Sequence, residues 1–204
     1  MLFRSDPNPN IQKFASRYVA PGTNRDPKWR EGFAELGKLG LSFESWQYHP
    51  QLPDAIDLAR AFPDTTIVLN HVGGFIGVGP YADRRAEEFQ RWKRSIVELA
   101  TFPNAVCKLG GLGMPVFGFD VHGRDAPPGS EELAHLWRPF IETCIEAFGV
   151  DRCMFESNFP PDKSSSSYTV LWNSFKKLTK SYSASERADM FYDVAMRTYR
   201  LERI

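Results

Sequence analysis

The sequence is poor in several things, and each shortage removes a class of function. It has no charge excess: 25 Lys and Arg stand against 25 Asp and Glu. Nothing in that balance draws the chain to nucleic acid or to an anionic membrane surface. No apolar run approaches the roughly 18 residues of a membrane span. The opening stretch MLFRS (1–5) is too short for a signal peptide. Cysteine is scarce: Cys107, Cys144 and Cys153 lie in apolar segments with no CxxC spacing. They read as reduced, buried thiols of a cytoplasmic protein rather than as a zinc site. No internal repeat is visible, and SSSS (164–167) is too short to link two domains.

What remains is an ordinary soluble composition, 42% hydrophobic over 204 residues. That length is enough for one well-buried domain spanning 1–204. The first segment, from DPNPN to GTNRDPKW, is rich in Asp, Asn, Pro and Gly and reads as loop. A helix is expected from Asp26 or Pro27, with Trp29, Phe33, Leu36 and Leu39 at helical spacing and Gly40 at its end. Strands are expected at 41–48, 65–72, 104–112 and 151–159, alternating with helices at 52–63, 81–101, 130–148 and 168–180. Ser130 is placed to cap the helix at 130–148. Ser183 and Glu186 have the spacing of a capping box that opens a final helix. Residues 113–129, rich in Gly and Pro, are long enough for a lid. Strands alternating with helices imply βαβ units and a parallel sheet.

Parallel α/β folds bind ligands at the carboxyl ends of their strands. The chemistry-bearing residues fall there. Gln47, Tyr48 and His49 end the strand at 41–48, and Asn70 and His71 end IVLNH; Lys108 lies in VCKLGG, and Glu156, Ser157 and Asn158 end CMFESN, with Asp162 just beyond. Each also has an ordinary structural reading. His71 is either a rim imidazole or a core histidine bonded to a carbonyl. His49 faces a pocket or lies on a surface loop before Pro50. Lys108 either snorkels to water or meets an anion. Glu156 and Asp162 either act chemically or accept from loop amides, and Asn158 is a site residue or a turn residue. His122 and His135 are read as structural or exposed.

Three blocks in order, LPDAIDLARAFPDTTIVLNHVGG, VCKLGGLGM and RCMFESNFPPDK, resemble the amidohydrolase superfamily, specifically its amidohydrolase 2 type with its lactonases and decarboxylating relatives. The resemblance covers roughly 25–203 and implies a (β/α)8 TIM barrel. His71 matches the family's fifth-strand histidine. Asn158 stands where relatives carry Asp, and the first-strand His-x-His pair has no counterpart. A complete barrel takes about 250 residues, so the expectation is a partial barrel lacking its first strands.

The implied function is hydrolysis of a cyclic ester, a sugar or dicarboxylate lactone, with His71, Asn158 and Asp162 catalytic and His49, Tyr48, Lys108 and Glu156 binding substrate. The partner is a small-molecule substrate, with self-association into a homo-oligomer left open. No residue is assigned to a metal; a divalent ion such as zinc is expected only in a full-length form, and some lactonases of this branch work without one. The alternatives are a catalytically silent partial barrel that assembles with a partner and a metal-dependent decarboxylase of the same superfamily.

Overall fold

Asp26 opens the first long helix by accepting the Trp29 N–H at 2.9 Å, with Pro27 at the first helical position. In the computed structural model, which describes residues 6–14, 20 and 22–202, the element order is α1 (Pro9–Gln12), α2 (Pro27–Lys38), β1 (Phe43–Ser45), α3 (Leu52–Ala61), β2 (Ile67–Leu69), α4 (Arg85–Ala100), β3 (Ala105–Leu109), α5 (Ser130–Phe148), β4 (Cys153–Phe155), α6 (Tyr168–Leu178), α7 (Ala184–Ala188) and α8 (Val194–Tyr199). The opening MLFRS lies outside the described residues. Among those described, no helix is long and apolar enough to cross a membrane.

The strands run parallel in the order β1-β2-β3-β4. Their alternation divides the sheet into two faces. Ile67, Leu69, Ala105, Cys107, Leu109 and Phe155 join the main core beneath the helices. Val68, Val106 and Met154 point the other way, onto Val194, Ala195 and Tyr199 of α8. Glu44 pairs in register with Val68, and Lys108 with Met154, so both polar side chains belong to the face that α8 covers. Phe33 ties α2 to β1, its ring 4.9 Å from that of Phe43 and 4.8 Å from Phe62. Burying a phenyl ring of this kind contributes about 1.5–3 kcal/mol. Cys107, Cys144 and Cys153 are buried free thiols.

Four expectations need correction. The strands are three to five residues long, shorter than the apolar runs suggested. Beyond β2 the backbone turns left-handed at His71 (φ 55°) and Val72 (φ 46°), and beyond β4 at Asn158 (φ 49°), so the chain leaves the ladder to build rim loops. Ser130 is the first helical residue of α5, not its cap; Gly129 occupies that place without a side-chain bond. The Ser183–Glu186 capping box does form, but the helix it opens is interrupted by a π-helical turn at Asp189–Asp193 before α8. The N-terminal loop contains one helical turn, α1, where the Asn8 side chain accepts the Asn10 N–H.

Candidate active site

The short ladder of β2 delivers His71 to the carboxyl end of the sheet. There its ring meets Glu156, which follows β4. Nδ1 of His71 lies 2.5 Å from Oε1 of Glu156, and the same oxygen accepts the His71 backbone N–H at 3.1 Å. An ionised carboxylate only accepts, so Nδ1 carries the proton, and in the neutral ring that leaves the lone pair on Nε2. Nε2 has no hydrogen-bond partner among the described residues. The Trp46 ring stands edge-on to the imidazole, centroids 4.5 Å apart. Gly111 packs against the other side. A Cβ there would lie 2.6 Å from the His71 ring, and the residue's φ of +70° suits glycine. This explains the second glycine of VCKLGG. The His71 side chain is 11% exposed, so it is reachable yet held.

Asn158 and Asp162 lie on the loop after β4. Asp162 is fully buried. Its Oδ1 accepts the Asn158 side-chain N–H at 2.6 Å, and its Oδ2 accepts the Gly113 N–H at 3.0 Å. Burial nevertheless dominates and pushes its carboxyl up to about 7, against these two bonds. Gly113 begins the 113–129 loop, and His122 within that loop binds the Gly113 carbonyl at 2.8 Å. The lid is thus tied to Asp162 at its root.

Lys108 occupies the face that α8 covers. Its Nζ is 2.8 Å from Glu44 Oε2 and 3.9 Å from Glu156 Oε2. It also sits over the Tyr199 ring at 5.4 Å, and the Tyr199 hydroxyl donates to Glu44. Burial works against ionisation of Glu44, yet bonds from Lys108 and Tyr199 hold its carboxyl below the ordinary value. Glu44 and Tyr199 were not singled out from sequence. A lone Glu between Phe43 and Ser45 is a weak signal, and Tyr199 is 155 residues from its partner. Asn70 adds a buried side-chain oxygen without a hydrogen-bond partner among the described residues.

The structure does not bring His49 or Tyr48 to this group. His49 is 1% exposed, with Nε2 on Glu88 Oε2 at 3.0 Å and Nδ1 accepting the Ile76 N–H at 3.1 Å. An Nδ1 that accepts carries no proton, so the ring is neutral; burial lowers it to about 4. It pins the loop after β2 to α4. Tyr48 is fully buried against Trp46. His71, Glu156 and Lys108 are brought together, and Asn158 and Asp162 bond to each other, with Asp162 feeling the charges of His71 and Glu156.

A family model described as amidohydrolase matches residues 15–201. The chain belongs to the amidohydrolase family. It is 42% identical over 181 residues to the uncharacterized protein y4mH of Sinorhizobium fredii, covering 89% of this chain and 54% of that one. It is 28% identical over 179 residues to an L-fucono-1,5-lactonase of Burkholderia multivorans, covering 86% of this chain and 57% of the relative. An amidohydrolase from Burkholderia multivorans, solved in one crystal form with zinc and in another with HEPES, superposes with TM-scores of 0.76 and 0.77 at 24% and 26% identity. Those matches cover 93% of this chain and 63% of the solved one. The chain therefore spans little more than half the length of the curated relatives it matches. Its sheet is the corresponding part of an amidohydrolase (β/α) barrel.

One of those crystal forms holds zinc. No three His, Cys, Asp or Glu among them are placed to hold a metal ion. His71 offers one open ring nitrogen and Asn158 a neutral amide oxygen, short of the ligand set that a divalent ion needs. These residues by themselves do not fit a divalent ion.

Proposed function

We propose that this amidohydrolase site hydrolyses a cyclic ester, a sugar or dicarboxylate lactone. The observation that carries the reading is the His71–Glu156 pair, which leaves Nε2 of the ring open; Asp162, a buried acid of raised pKa, feels the charges of both. Nε2 of His71 takes a proton from water as the water oxygen bonds to the lactone carbonyl carbon, and Glu156 stabilises the imidazolium that forms. The carbonyl C–O bond to the ring oxygen then breaks. Asp162, holding a proton near neutral pH, gives it to the departing alkoxide and is reprotonated from the imidazolium. Asn158 orients Asp162. Lys108 balances the charge of Glu44 and Glu156, and a substrate carboxylate would reach it by displacing Glu44. The lactonase among the relatives supports the substrate class. The test is a proton-release assay of the full-length protein on sugar and dicarboxylate lactones. Turnover by the wild type and its loss in a folded His71→Ala variant are expected. Equal rates in the two would remove the assignment.

A second reading, an assembly subunit without catalysis, is favoured by one observation. The outer edges of β1 and β4 have no strand partner among the described residues, and such edges invite association. Size-exclusion chromatography separates the two: an inactive dimer supports assembly, and an active monomer supports catalysis.

A further inference from the structure

A broad, solvent-open cavity of about 720 Å³ lies between α4 and α5 and is lined also by Gly118 and Phe119 of the 113–129 loop, not by His71. Its walls include Phe89, Phe119, Leu136 and Phe140. Arg85, at the start of α4, lines it as well. The Arg85 guanidinium is fixed from several sides. It lies 5.2 Å from the Phe75 ring centroid and 5.0 Å from that of Phe119. Its Nη1 donates to the Phe117 carbonyl at 2.9 Å and reaches the Gly118 carbonyl at 3.4 Å. Gly77 makes room for it, since a Cβ there would fall 2.1 Å from Nη1.

Nε and Nη2 of Arg85 have no hydrogen-bond partner among the described residues, and no carboxylate there lies within ion-pair distance. Neighbouring arginines are treated differently: Arg84 and Arg91 both pair with Glu88, at 3.2 and 3.8 Å. Asp120 acts on Arg85 only at longer range, and burial makes its charge harder to hold. A half-buried guanidinium with spare donors, set in an aromatic wall, is matched by a carboxylate attached to an apolar body.

We propose that the Arg85 cavity is a second ligand site, which takes an aromatic or short-chain aliphatic carboxylate. The carboxylate receives the free Arg85 N–H groups, and the apolar body lies on Phe89, Phe119 and Phe140. Because Phe119 and Gly113 belong to one lid, an occupant here braces the loop whose root holds Asp162. The binding reading does not rest on the proposed hydrolysis.

The probe is 2-naphthoate, with 2-naphthylmethanol as its uncharged counterpart. Trp92, whose ring is 5.0 Å from Phe140 and 5.2 Å from Phe89, reports binding by its fluorescence. Saturable binding of the acid, with the alcohol weaker by about tenfold or more, is expected. Ala86→Trp, an exposed position on the cavity wall, should abolish binding without changing the melting temperature. Arg85→Gln should remove the preference for the acid. Equal binding of acid and alcohol, binding that survives Ala86→Trp, or no saturable binding at millimolar probe would overturn the proposal.

Discussion

His71 and Glu156 are 85 residues apart and joined at 2.5 Å through Nδ1 and Oε1, with the His71 backbone N–H on the same oxygen. One carboxylate therefore sets both the ring's tautomer and the position of its main chain. Glu156→Gln removes the charge that supports an imidazolium while nearly keeping the shape. Turnover on a lactone should fall about 100-fold or more, with the circular dichroism spectrum unchanged. A variant within twofold of wild type would remove Glu156 from the step.

Gly111 is the second prediction. An alanine methyl there meets the His71 ring at 2.6 Å, at a φ of +70°. Gly111→Ala should cost about 1–3 kcal/mol in chemical denaturation and should lower turnover further than the loss of folded protein explains. Wild-type stability in this variant would contradict the close packing.

Asp162 gives a pH signature. Its folded carboxyl titrates near 7 against an ordinary value of 3.8, so the folded state holds the proton more tightly. Its contribution to stability is fully present below about 4 and is lost as pH rises toward 7. Asp162→Asn removes this slope, so the variant should gain stability relative to wild type as pH rises across that window. Parallel stability curves would mean that Asp162 is ionised throughout.

His49 runs the opposite way. Its folded value of about 4 lies below the ordinary 6.5. The neutral ring therefore stabilises the fold above 6.5, and that contribution is lost as pH falls through 4. His49→Gln should cost about 1–3 kcal/mol at pH 7.5, from the unsatisfied Ile76 N–H and the lost bond to Glu88, and the gap to wild type should narrow in acid. A gap that stays constant with pH would show that the ring does not titrate as described.

The alternation of strand and helix was legible because fully buried parallel strands such as IVL leave near-continuous apolar runs. His71, Glu156, Asn158, Lys108 and Asp162 were legible as a group because parallel strands send their carboxyl ends to one rim. His49 looked equivalent, following its strand directly before Pro50. Its fate is decided by Glu88, 39 residues later on α4, and by the Phe75 ring stacked on it at 5.0 Å. The Glu44–Tyr199 contact depends on α8 folding across the inner face of the sheet, which local periodicity does not encode. The strand ends were overrun because the apolar pattern continues through Val72, where φ turns positive.

The central claim is that Glu156 holds His71 with its proton on Nδ1 and leaves Nε2 open. Nitrogen-15 NMR of the histidine side chains, assigned through His71→Gln, measures this directly near neutral pH. A protonated Nδ1 and a bare Nε2 are expected for His71 in the wild type, with loss of that tautomer preference in Glu156→Gln. A proton resident on Nε2 in the wild type would contradict it.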